Sequence, residues 1–239
     1  MELKERLIVS LDFEIDTQAL ALIEQLQDDV VFYKIGMQLF YRYGADLVKK
    51  IKHQGKKIFL DLKLHDIPNT VVSALKSLKD LDVDFINMHT LAGQEAMVKS
   101  KDFLVQQNWN TKLIGVTILT SLNDEHLHQF GFHSTVQETV IHLCQLAKSA
   151  NLDGVVASAQ EAASVKEHCG QDFITICPGI RRATDVANDQ KRIVTPADAM
   201  KKSADYIVVG RPIIQAQDPK KEVKLYFEEM EKGIHHARK

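Results

Sequence analysis

The chain has 239 residues, 45% hydrophobic and 26% charged, which suits a folded chain long enough for one large apolar core. Its 30 basic and 32 acidic residues leave a formal charge of −2, so no overall basic field favours nucleic acid, and 7% aromatic residues offer little stacking surface. No apolar stretch approaches the roughly 18 residues that a membrane span needs.

Along the chain, short apolar runs alternate with helical patterns. "LIVSLD" (7–12) precedes a helix-like stretch from Thr17 to Gln27, and "VVFYKIG" (30–36) precedes one across 45–53. "KIFLDLKL" (57–64) leads to "NTVVSALKSLKDL", and "DFINMH" (84–89) to "GQEAMVKSKDFLVQQ". "LIGVTILTS" (113–121) leads to "TVQETVIHLCQLAKSA", and "DGVVAS" (153–158) to "AQEAASVKEHC". "FITICPGIR" (173–181) is followed by a polar stretch and "PADAMKKSA", and "YIVVGRP" (206–212) by the charged helix "PKKEVKLYFEEMEKG".

These are eight strand-then-helix units. Their strands are near-continuous apolar runs, as in parallel sheets covered on both faces. Eight such units in this length fit an α/β protein of the (β/α)8 TIM-barrel type, typically about 250 residues, as a single domain over 1–239. An open doubly wound sheet is the rival. No GxGxxG follows a strand, and no linker or internal repeat stands out. Cys144, Cys169 and Cys177 are odd in number and show no metal-ligand spacing, so they read as reduced thiols. The N-terminal "MELKERLIVSLDF" lacks a signal-peptide pattern, and the expected location is the cytoplasm.

Barrel active sites lie at the C-terminal ends of the strands. Charge and hydroxyl gather there: Asp12, Lys34, Asp61 and Lys63, His89, Thr120 and Ser121, Arg181, then Gly210 and Arg211. The opposite ends show no comparable set. "FLDLKLHDIPNT" (59–70) is the densest part. Asp61 and Lys63 are two apart, on one face of the strand and roughly 6.6 Å apart along it, while Leu60, Leu62 and Leu64 face the helices. Pro68 is expected to close the strand, and Asn69 or Thr70 to cap the next helix.

A lone Asp–Lys pair is most often a structural ion pair. Here Asp12 and Lys34 reach the same mouth and make an alternating acid–base cluster. At an effective dielectric of about 20, each close contact is worth about 4 kcal/mol before desolvation. Such a network holds a lysine protonated and an aspartate ionised in a water-poor pocket. On the other side, "VVGRPI" places Gly210 and Arg211 after the eighth strand, where barrels frequently bind phosphate. The polar stretch between Arg181 and Thr195 is long for such a connection and reads either as a lid or as a plain surface loop.

"DLKLHDIPNT" resembles the D-x-K-x-x-D-I signature of the orotidine 5'-phosphate decarboxylase family. "VSLDF", "YKIGMQLF", "VTILTS", "CPGIR" and "VVGRPI" follow in that family's order and spacing. The resemblance implies a TIM-barrel homodimer with both active sites at the interface. It implies conversion of orotidine 5'-monophosphate (OMP) to UMP and CO2, the last step of de novo pyrimidine synthesis, with no metal or cofactor. Carried over by motif, Lys63 protonates C6 of the pyrimidine, and Asp61 lies beside the substrate carboxylate. Asp66, contributed to the partner's site, completes the charge network together with Lys34. Asp12 and Lys34 hold the ribose hydroxyls, with Thr70 reaching across from the partner. Thr120 contacts the substrate, and Ser121 assists at the base. Arg181, Gln190, Gly210 and Arg211 bind at the phosphate end.

Two rivals stand beside this reading. D-x-K-x-x-D also occurs in a related metal-dependent sugar-phosphate decarboxylase group, which places an acidic metal ligand where this chain has Lys34. A catalytically silent phosphate-ligand binder has no need of Lys63 flanked by Asp61 and Asp66. His126, His128 and His133 lie in a polar connection and read as solvated.

Overall fold

The computed structural model describes residues 2–183, 185 and 194–237. Eight parallel strands close into a barrel in chain order, and the first pairs with the last. They are β1 (Leu7–Ser10), β2 (Phe32–Gly36), β3 (Lys57–Leu64), β4 (Phe85–His89), β5 (Lys112–Val116), β6 (Gly154–Val156), β7 (Ile174–Cys177) and β8 (Tyr206–Val209). The helices outside are α1 (Asp16–Leu26), α2 (Met37–Lys52), α3 (Pro68–Leu78), α4 (Gln94–Gln106), α5 (Asp124–Gln129), α6 (Val136–Ser149), α7 (Ala162–Cys169), α8 (Pro196–Lys201), α9 (Arg211–Ile214) and α10 (Pro219–Ala237). No helix among the described residues is long and apolar enough to cross a membrane.

Alternation along each strand makes two cores. Ile8, Phe32, Phe59, Phe85, Ile114, Ile176 and Val208 fill the barrel. Phe32, Phe85 and Tyr206 pack ring against ring at 5.0–5.9 Å and plug its lower part. The intervening residues, such as Val9, Tyr33, Ile35, Leu60 and Ile86, join the helices in the larger outer core. Each fully buried apolar side chain of this size contributes about 1.5–3 kcal/mol. Both strand faces are therefore apolar, and the alternation is masked in the sequence.

Several boundaries differ from expectation. The second helix starts at Met37, not 45, and bends at Gly44, whose φ of 58° and ψ of −146° break its path. The fifth strand stops at Val116, and the polar connection that follows contains α5, capped by Asn123 with His126 in return. Pro68 does not end β3, which stops at Leu64; it is the first residue of α3, where its missing N–H costs nothing. Ile67 is the N-cap there, so neither Asn69 nor Thr70 caps the helix.

The lower ends of the strands are also charged, contrary to the sequence reading, and they repeat. Asp84, Asp153 and Asp205 immediately precede β4, β6 and β8. Each accepts the N–H of the second residue of the strand before: Ile58 at 2.8 Å, Leu113 at 2.9 Å and Thr175 at 2.8 Å. Each also pairs with a lysine from the helix that leads into that strand: Lys52 at 3.0 Å, Lys101 at 2.6 Å and Lys166 at 2.6 Å. One strand–helix–strand unit thus recurs three times, with an aspartate as its lower clasp.

Candidate active site

The inward positions of successive strands run from an aromatic or aliphatic plug to a polar mouth. They read Ile8–Ser10 on the first strand with Asp12 just beyond it, Phe32–Lys34–Gly36 on the second, Phe59–Asp61–Lys63 on the third and Phe85–Asn87–His89 on the fourth. Four of the expected residues meet there. Lys34 Nζ lies 3.3 Å from Asp12 Oδ1 and 3.2 Å from Asp61 Oδ2. Lys63 Nζ donates to Asp61 Oδ1 at 2.7 Å. The order Asp12–Lys34–Asp61–Lys63 is continuous, and its centre is dry: Lys34 and Asp61 side chains are each 12% exposed.

Burial disfavours the charged form of both central groups. For Lys34 the carboxylates of Asp61 and Asp12 outweigh that cost, and its pKa stays above the ordinary lysine value. For Asp61 the ammonium groups of Lys34 and Lys63, with hydrogen bonds from Lys63 and Asn87, outweigh it and hold the carboxyl below the usual range. The site therefore keeps fixed positive and negative charges side by side at neutral pH.

Lys63 reaches this position through a backbone irregularity. The β3–β4 register shifts between Leu60 and Leu64, and Lys63 has φ of 51°, in the left-handed region. For a side chain of this kind that conformation costs about 1–2 kcal/mol. Bulges that re-aim a side chain are common beside active sites. The regular same-face placement of Asp61 and Lys63 is thus modified: both face the mouth, but Lys63 is turned there by the bulge.

Above the charge network lies a cavity of ≈ 300 Å³, lined among others by Lys63, Val116, Thr120, Ser121 and Pro178. A second recess of ≈ 130 Å³ lies beside it, between Ser10, Asp12, Gly179, Arg181, Gly210 and Arg211. Arg181 is buried, and its Nε has no hydrogen-bond partner among the described residues. A Cβ at Gly210 would stand 3.0 Å from Asp12 Oδ2, so glycine is what lets the two loops approach. A cavity of this size with Lys34, Asp61 and Lys63 in its lining, beside an arginine-lined recess, has room for a small polar ring carrying an anionic tail.

Asp66 and Thr70 are not brought into this mouth by their own chain. Both are exposed, and Asp66 Oδ1 accepts the N–H of Ile67 at 2.7 Å. Gln190 lies outside the described residues. Sequence reading missed Asn87, which is fully buried below the network. Its signal is a carboxamide in an apolar strand, two residues after an inward-facing phenylalanine. It also missed the stacking of His65 on His89, ring centroids 5.1 Å apart.

The fold and the mouth define a (β/α)8-barrel enzyme that works with paired ammonium and carboxylate groups. The orotidine 5'-phosphate decarboxylase / HUMPS family model matches residues 5–226. An orotidine 5'-phosphate decarboxylase of Carboxydothermus hydrogenoformans is 49% identical over 98% of this chain and 99% of its own length. Another, of Hydrogenovibrio crunogenus, is 45% identical over 90% and 91%. The crystal structure of orotidine 5'-phosphate decarboxylase from Lactobacillus acidophilus superposes with a TM-score of 0.82 at 38% identity, over 94% of this chain and 98% of that one. That of the Methanocaldococcus jannaschii enzyme complexed with inhibitor BMP gives 0.76 at 26% identity, over 94% and 98%. The chain belongs to the orotidine 5'-phosphate decarboxylase / HUMPS family.

Proposed function

We propose that this enzyme decarboxylates OMP to UMP and CO2 with Lys63 as the proton donor and the Asp12–Lys34–Asp61–Lys63 network as its electrostatic frame. The reaction is the one for which its whole-length relatives are named, and it closes pyrimidine nucleotide synthesis. The observation that carries the mechanism is the Lys63 ammonium, held 2.7 Å from Asp61 at the floor of the cavity.

Breaking the C6–carboxylate bond leaves its electron pair on C6, in the ring plane, where the pyrimidine π-system cannot delocalise it. The protein must stabilise that charge electrostatically. A fixed ammonium at C6 interacts more favourably with negative charge on that carbon than with charge on the departing carboxylate, which is transition-state complementarity. The N–H bond of Lys63 then breaks as the C6–H bond forms, and the neutral amine regains its proton from water. Asp61 stands beside the substrate carboxylate and Lys34 holds it ionised. Asp12 and Lys34 receive the ribose hydroxyls, and Thr120 with Ser121 faces the base. Arg181, Gly210 and Arg211, with Gln190, take the phosphate. Binding energy from the phosphate end then serves the step at C6.

The working unit is a homodimer in the cytoplasm, each chain one domain over 1–239, with Asp66 and Thr70 completing the partner's site. The exposure of Asp66 on the β3–α3 connection and of Thr70 in the first turn of α3 supports this placement. The reaction calls for no metal or cofactor. The Lys34 ammonium stands between Asp12 and Asp61, where a metal-dependent reading calls for an acidic ligand, and this favours the metal-free reaction.

The test is to incubate the purified chain with OMP in excess chelator and follow the loss of orotate absorbance. Rapid loss supports the metal-free decarboxylase. No turnover, with turnover of a sugar phosphate on adding Mg²⁺, would overturn it.

A further inference from the structure

The geometry points to Asn87 as a positioning residue for the proton donor, acting through both the backbone of Lys63 and the carboxylate of Asp61. The inference rests on the reading of Lys63 as proton donor. Asn87 Oδ1 accepts the N–H of Lys63 at 2.7 Å, and its Nδ2 donates to Asp61 Oδ1 at 2.7 Å. That same Oδ1 accepts the Lys63 ammonium at 2.7 Å. One amide therefore closes a ring that passes through the Lys63 main chain, the Lys63 side chain and the Asp61 carboxylate.

Three features make this more than a filled core position. Asn87 is fully buried, so it does not touch the substrate and acts only through its two partners. Lys63 holds φ of 51° inside a register shift, a conformation that persists only where the surroundings over-determine it. The bulge leaves the Lys63 N–H without the regular β3–β4 ladder partner, and Asn87 supplies the acceptor. The donor half of the amide faces an Asp61 oxygen, which fixes the carboxylate's rotation and with it the ammonium's direction. Aspartate has the same shape but cannot donate to a carboxylate. Alanine provides neither bond.

The experiment compares wild type, Asn87→Ala and Asn87→Asp for kcat and KM with OMP, for UMP affinity and for thermal midpoint. A group misplaced by about 1 Å costs on the order of 100-fold in rate. The expected result is a kcat drop of about that size in each folded variant, with KM and UMP affinity within about threefold of wild type. A folded variant with kcat near wild type would overturn the inference. So would a loss shared equally by kcat and UMP affinity, which marks a general collapse of the pocket. Failure of both variants to fold would overturn it too, because the amide would then be a support of the barrel. If wild type itself does not turn over OMP, the reading of Lys63 fails and not the placement of Asn87.

Discussion

Asp61 binds two ammonium groups with separate oxygens: Lys63 at 2.7 Å on Oδ1 and Lys34 at 3.2 Å on Oδ2. It is the only carboxylate among the described residues to join the two lysines, and its side chain is 12% exposed. The two ammonium groups of the mouth are therefore set by one group. Their separation is a property of a carboxylate's two oxygens, and no loop has to be ordered to create it.

Replacing that carboxylate leaves two neighbouring cations in a dry site. Asp61→Asn should therefore destabilise the fold by about 3 kcal/mol, the range for breaking a buried ion pair. Activity should fall with it, because Lys34 loses the charge that keeps its pKa high. Urea unfolding of the variant beside wild type measures the first effect. Equal midpoints would show that the network contributes nothing net to stability.

Lys63→Ala removes the proposed proton donor and, with it, the cation proposed to favour the carbanion. General acid catalysis alone contributes roughly 10²–10⁴-fold, and kcat should fall by at least that much. The fold should survive, since Lys63 is partly exposed at the mouth. UMP affinity measured by calorimetry should stay within an order of magnitude. Residual turnover near wild type would remove Lys63 from the chemistry.

Much of this was legible in the sequence because most strands carry polar groups at the end that forms the mouth. "DLKL" reports Asp61 and Lys63 directly, and "YKIG" reports Lys34. The barrel followed from eight apolar runs of strand length, since both faces of a parallel strand are covered. What was hidden depends on three-dimensional partners. The Asp84, Asp153 and Asp205 clasps sit at the starts of strands and look like ordinary loop acids until Lys52, Lys101 and Lys166 are placed beside them. Asn87 looks like a flaw in an apolar strand until its two bonds are seen. The bulge at Lys63 has no local signature at all, because lysine carries no preference for positive φ and the conformation is imposed from β4.

Asp66 is exposed on its own chain, so the place in the network proposed for it requires a second copy. Lys63→Ala and Asp66→Ala should each be inactive as homodimers. Mixed and refolded together, they should regain activity, because a heterodimer carries one site with both residues intact. Half of a random mixture is heterodimer with one good site in two, so about one quarter of wild-type activity is expected on the statistics of symmetric dimers. Verified heterodimers with no recovery would place Asp66 outside the partner's site.

Arg211→Ala should weaken binding at the phosphate end. A hydrogen bond to a charged group is worth about 1.5–3 kcal/mol, so KM for OMP should rise on the order of 10–100-fold. The same substitution should leave the slow decarboxylation of orotidine, which lacks the phosphate, unchanged. Equal losses for both substrates would show that Arg211 acts on the shape of the mouth and not on the phosphate.

His89 supplies a pH dependence whose sign is fixed by its surroundings. Burial, then the neighbouring His65 and Lys63, lower its pKa from 6.5 to about 4. In the unfolded chain it takes up a proton near 6.5, whereas the folded chain resists until about 4. Between those values unfolding binds a proton, so the stability contributed by neutral His89 is complete above 6.5 and declines as pH falls towards 4. Asp61, whose pKa is lowered, acts in a different window: its contribution is lost only as pH falls below the usual carboxylate range. Urea midpoints at pH 7.5 and 5.0 should therefore differ more in wild type than in His89→Asn, which cannot be protonated. Equal pH slopes in the two proteins would assign the loss to other groups.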